Sequence, residues 1–175
     1  TYQSAVIAAT DLQETYPDRK ILVVDTLCAA LGQGLLVWYA CKKRDEGMDI
    51  HTLYNWVEEH KLNICHWVTV DDLSHLKRGG RISAATAMVG TMLNIKPILR
   101  GDEEGHIVTS QKIRGRKKAV ETLAKIYAEK VVDPEHQRVG ITHGDCPEEA
   151  QALAEKICAA GKPGELLLCP HEPFT

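Results

Sequence analysis

Two short basic loops and one histidine turn are the places where residue types and spacing in this chain could do chemistry. In Leu76-Lys77-Arg78-Gly79-Gly80-Arg81-Ile82, two glycines let the backbone take positive φ and approach a ligand. Arg81 supplies a guanidinium fork, and a helix starting at Ser83 would offer unpaired N–H groups. That set suits a carboxylate or a phosphate. The same residues also describe an ordinary helix end, with Gly79 as C-cap and the basic side chains complementing the helix dipole. The second loop, Lys112-Ile113-Arg114-Gly115-Arg116-Lys117-Lys118, reads either as a solvated strand-to-helix turn or as more of the same anion site. Its RGRKK run also has the composition of a nucleic-acid patch. The stacking aromatics and groove-reading motifs of such modules are missing, the single Phe being Phe174, so a nucleic-acid-binding module ranks last and no nucleic-acid partner is expected.

His143-Gly144-Asp145-Cys146 resembles an active-site loop. A small phosphotransfer or hydrolytic enzyme using His143 with the basic loops is therefore the alternative function these residues permit. No Ser or Cys is marked as a nucleophile by a strained turn, and there is no Walker-type or dinucleotide glycine motif, so a non-catalytic protein is the expectation. Cys65-His66 could join His143 and Cys146 around a metal only if folding brought the pairs together. CxxC-type pairs are lacking, and no metal is expected.

Between the basic loops, Ala85, Met88, Val89 and Met92 share one helical face, with Ile95 opening the strand that follows. Core packing explains such a stripe. Flexible Met and small Ala would equally suit the wall of an acyl-chain tunnel, and periodicity does not separate the two.

The elements that must position these residues read as an α/β chain. A helix fits residues 4–15 and stops at Tyr16-Pro17; Ile21 to Val24 reads as a strand; a helix over residues 31–44 closes at Gly47; Asp49 caps another as far as about Glu59. From Leu62 the pattern changes, which places a boundary near Lys61 and divides the chain into lobes 1–61 and 62–175. Residues 63–70 read as a strand and Asp71 or Asp72 as the cap of a short helix. Ser83 caps the apolar helix Ala84 to Met92, and two strands, Lys96 to Leu99 and His106 to Ile113, flank an Asp-Glu-Glu-Gly turn. A helix over 117–130, a strand over 138–142, a helix over 147–160 with Pro147 in its first turn and a strand over 166–169 complete the second lobe.

Composition bounds the answer further. The chain has 175 residues, 44% of them hydrophobic, as in an ordinary globular protein. Its longest apolar runs fall well short of a membrane span. Six irregularly spaced cysteines, mostly within apolar runs, suit a reducing cytoplasm. The formal net charge is -3, yet the window from Lys77 to Lys118 holds ten basic residues against three acidic ones. One surface is thus set up to meet an anion or an acidic partner.

Taken together, VVDTLCAALGQGLLV, VTVDDLSHLKRGGRIS, LNIKPIL, the RGRKKA loop and the ITHGD strand resemble the DegV family of bacterial fatty-acid-binding proteins over nearly the whole chain. The resemblance implies part of a three-layer parallel-sheet lobe followed by a two-layer mixed-sheet lobe, with a long-chain fatty acid between them. It implies no cofactor beyond that bound fatty acid, and no stable membrane insertion. It further implies a carrier that presents the lipid carboxylate to the catalytic subunit of a fatty acid kinase for acyl phosphate formation. By motif, Arg81, Arg114 and Arg116 would lie at the head-group opening or the kinase-docking face, while Ala85, Met88, Val89, Met92 and Ile95 would line the lipid. The same resemblance marks the chain as a piece lacking both ends, with the hydroxyls that hold the carboxylate upstream of Thr1. A glycine-rich, histidine-containing strand is expected after Pro170, and His171 does not match it.

Overall fold

Small apolar and polar residues alternate with helical period near the start of the chain, and they form α1 (Tyr2–Thr15) in the computed structural model, which describes residues 1–82 and 94–171. Pro17 prevents its continuation. α2 (Ala30–Asp45) ends ahead of Gly47, whose φ is +95°. α3 (Ile50–His60) starts where expected, because the Asp49 carboxylate accepts the backbone N–H groups of His51 and Thr52 at 3.0 and 3.3 Å. The start of α2 has a less local cap. The N–H of Ala29 donates to His66 Nε2 at 3.3 Å, so Nδ1 of that ring carries the proton and donates to the Ile64 carbonyl at 3.1 Å. An imidazole 37 positions away thereby closes this helix.

Residues 21–24 differ from expectation. They belong to no strand, since a strand exists only with a hydrogen-bonded neighbour and none pairs with them among the described residues. Ile21 and Val23 instead lie beside α1, across an open groove of about 520 Å³ that Val6 and Ala9 also line. The strand expected over 63–70 shrinks to β1 (Trp67–Thr69), because its ladder reaches only residues 98–100; a 3₁₀ turn occupies Lys61–Asn63.

Asp72, rather than Asp71, caps α4 (Leu73–Arg78) by accepting from Ser74 N at 2.7 Å. β2 (Ile95–Gly101) and β3 (Ile107–Arg114) form the expected antiparallel hairpin, and β1 adds to the far side of β2. The hairpin turn is held by Asp102, whose carboxylate accepts the N–H groups of Glu104 and His106. Ile98 faces Gln111 but Leu99 faces Thr109, so Ser110 is a bulge residue. Ile98 and Leu99 are both fully buried, on opposite faces of the sheet. Leu99 packs with Leu73 and Ile82. Ile98 packs with Ala119 and Ile126 of α5 (Arg116–Lys130). Each of these two side chains contributes roughly 1.5–3 kcal/mol by its removal from water.

β4 (Arg138–His143) and β5 (Glu165–Pro170) pair in parallel through α6 (Pro147–Ala160). β4 shows why alternation matters. Val139 and Ile141 turn toward Ala150, Ala154 and Ile157 of α6, while Arg138 and Gly140 turn toward α2. There the Arg138 guanidinium stacks 3.6 Å from the Trp38 ring centroid, and a side chain at Gly140 would collide with Leu31. The helices α5 and α6 also pack on one another, and Tyr127 OH donates to the Gly161 carbonyl at 2.5 Å. Both pairing senses expected of residues 62–175 are present, divided between two sheets. No helix among the described residues is long and apolar enough to cross a membrane.

Candidate functional site

The second basic loop is a strand-to-helix turn, and its conformation separates its two arginines. Gly115 has φ +93° and ψ 141°, a region open essentially to glycine alone, and its N–H donates to the Asn94 carbonyl at 2.9 Å. Arg114 therefore ends β3 directly opposite Ile95 of β2. It is exposed and makes no hydrogen bond or ion pair among the described residues. Arg116 begins α5 and turns inward instead.

Arg116 is the centre of a charged cluster that no sequence window contains. Its Nε donates to Glu149 of α6 at 2.6 Å, another guanidinium nitrogen lies 3.9 Å from Asp71, and a third contact reaches Cys146 Sγ at 4.0 Å. Asp71 is shared, because Lys96 Nζ of β2 sits 2.8 Å from the same oxygen. The hydrogen bond from Lys96, reinforced by the Lys96 and Arg116 charges, holds the Asp71 carboxyl below the usual carboxylate range. Two of the ten basic residues in the electropositive window are thus matched by acids from elsewhere in the chain. Asp71, Lys96 and Glu149 were not legible as site residues. Asp71 reads as a helix cap, Lys96 as an ordinary strand residue and Glu149 as a first-turn acid, and nothing local marks them as partners.

His143 ends β4 beside this cluster. Its Nδ1 accepts the N–H of Cys146 at 3.3 Å, across a turn in which Asp145 has φ +55°. In this geometry the imidazole satisfies a backbone donor at the start of α6 and so holds the turn. The Cys65-His66 pair does not join it, since both ring nitrogens of His66 are engaged at α2 and Ile64. Among the described residues no three His, Cys, Asp or Glu side chains are grouped as a metal would require.

The first basic loop takes the shape of a helix end. Gly79 is the C-cap of α4 with φ −76°, Gly80 supplies the positive φ of +68°, and Arg81 Nη1 donates to the Gly79 carbonyl at 2.6 Å. Arg78 meets His75 Nδ1 at 2.8 Å. Arg81 is exposed. Of the apolar positions expected to line a lipid, Ala85, Met88, Val89 and Met92 lie outside the described residues. Ile95 is half-buried and stands next to Arg114. An apolar position and an exposed cation are therefore cross-strand neighbours.

A family model described as an uncharacterised protein of the DegV family matches residues 1–174. The chain belongs to the DegV family. A DegV domain-containing protein of Clostridium perfringens is 47% identical over 157 residues, covering 90% of this chain and 54% of that protein. The chain thus spans about half the length of this curated DegV relative. Among solved structures, a fatty-acid-binding DegV family protein from Streptococcus agalactiae superposes with a TM-score of 0.81 at 34% identity, over 93% of this chain and 57% of the other. A DegV family protein from Thermus thermophilus, solved for its fatty acid binding, gives 0.82 at 31% identity, over 98% and 59%. The α/β fold is that of the DegV family.

Proposed function

We propose that this chain is part of a carrier that binds a long-chain fatty acid and presents its carboxylate to a partner kinase for acyl phosphate formation. The single observation that carries the reading is the likeness, in fold and at 34% identity, to a DegV protein that binds fatty acid. The ligand lies between the part formed by residues 1–61 and the part that follows, with Ile95 and the stripe Ala85, Met88, Val89 and Met92 along the acyl chain. Arg81, Arg114 and Arg116 belong to the head-group opening or the docking face. Burying a chain of about sixteen carbons at about 0.8 kcal/mol per CH₂ contributes on the order of 10 kcal/mol before entropic costs. An apolar tunnel then holds the lipid with few polar contacts, leaving the exposed cations to the partner.

The test starts from the full-length protein carrying this chain, purified and extracted with organic solvent, with the released lipid identified by mass spectrometry. About one fatty acid per protein supports the reading. No lipid, together with no uptake of added fatty acid, ends it. With a fatty acid kinase catalytic subunit and ATP, Arg114→Ala lowers acyl phosphate formation while the lipid content stays that of the wild type; loss of the lipid itself would contradict the docking role.

A further inference from the structure

We infer that Glu149 and Asp71 are positioning residues for Arg114 and act on it through Arg116, an inference that rests on the carrier reading above. α5 opens with Arg116, Lys117 and Lys118 and has no acidic residue in its first turn. Cations at a helix N-terminus oppose the helix dipole, so this start is electrostatically unfavourable on its own. The compensating anions come from other elements. Glu149, in the first turn of α6, bonds Arg116 at 2.6 Å, and Asp71, ahead of α4, lies 3.9 Å from it while also bonding Lys96 of β2 at 2.8 Å.

Arg116 is thereby tied to α6, to the segment before α4 and, through Asp71, to β2. It is only a quarter exposed, and its Nε donor is already used. Arg114 is two residues back across Gly115, whose unusual backbone and N–H bond to Asn94 fix the relation between the two arginines. Clamping Arg116 therefore fixes where β3 ends and where the Arg114 guanidinium is presented beside Ile95. Arg116 is the clamp, and Arg114 is the cation that, among the described residues, is left free to meet an anionic group.

The experiment measures acyl phosphate formation by a fatty acid kinase catalytic subunit and ATP on the lipid-loaded full-length protein. Glu149→Gln is expected to raise KM for the loaded carrier by roughly fivefold, the upper end of what one partly exposed ion pair contributes, with kcat and lipid content unchanged. Glu149→Asp restores most of the effect. In an Arg114→Ala background Glu149→Gln adds nothing further, because the group it positions is gone. Asp71→Asn gives an independent second variant, with a smaller shift in the same direction and the same dependence on Arg114. A wild-type KM in both acid variants, or the same fold increase with and without Arg114, overturns the inference while leaving the carrier reading intact. An Arg114→Ala protein that supports wild-type acyl phosphate formation overturns the docking role instead, and the inference with it.

Discussion

Individual side chains in this protein are governed by how much water and which partners surround them. Cys28 is half-buried with its thiol directed at the Lys61 carbonyl, and burial pushes its pKa up to about 11, against a smaller lowering by the Lys61 charge. At pH 8 the thiolate is then about one part in a thousand, so Cys28 is expected to resist iodoacetamide. Cys65, which is exposed, reacts first. Peptide mass spectrometry after a short pulse at pH 8 checks the order, and equal labelling of the two would show that Cys28 is not shielded. Arg114 and Arg116 make the same point for charge. They are two residues apart and identical in type, yet one is free among the described residues and the other is held by Glu149 and Asp71.

At the scale of elements, local signals were sufficient wherever the deciding interaction is local. Asp49 before α3 and the Asp102 turn between β2 and β3 lie where their chemistry directs, because each carboxylate accepts backbone N–H groups within four residues, and Pro147 opens α6 because a first-turn residue needs no N–H for the helix ladder. Signals failed where a partner is remote. Residues 21–24 have strand composition without a ladder, and the cap of α2 comes from His66. The β3–α5 turn offers a direct test. A methyl group at Gly115 meets nothing within 4 Å, so Gly115→Ala isolates the backbone cost of φ +93°. Roughly 1–3 kcal/mol of destabilisation is expected, which for a domain of this size lowers Tm by several degrees. Calorimetry that finds an unchanged Tm would mean that the turn relaxes at no cost.

For the whole molecule, the asymmetry of charge matters more than its total. The window from Lys77 to Lys118 carries seven excess positive charges in a chain whose net charge is -3. Lys96 and Arg116 are neutralised within the fold, and the exposed remainder, including Arg81 and Arg114, supplies the field that would steer an acidic partner. Under the proposed carrier function, association with a fatty acid kinase catalytic subunit is expected to slow markedly as ionic strength rises from about 0.01 to 0.15 M, as the Debye length falls from about 30 to 8 Å. Retained fatty acid should stay constant over that range, since apolar burial is not screened. Stopped-flow association alongside lipid quantitation measures both, and a salt-independent association rate would count against electrostatic docking. The sequence by itself determined the helices among the described residues, the hairpin, the strand–helix–strand order of β4, α6 and β5, the basic window and the family resemblance, because periodicity, caps, turns and contiguous motifs are written within short stretches of chain. Only the tertiary structure decided that, among the described residues, residues 21–24 form no ladder and Arg114 is free while Arg116 is clamped, that His66 closes α2, and that His143 holds the turn into α6. Each of those outcomes depends on a hydrogen bond, an ion pair or a missing strand partner that residue order alone does not specify.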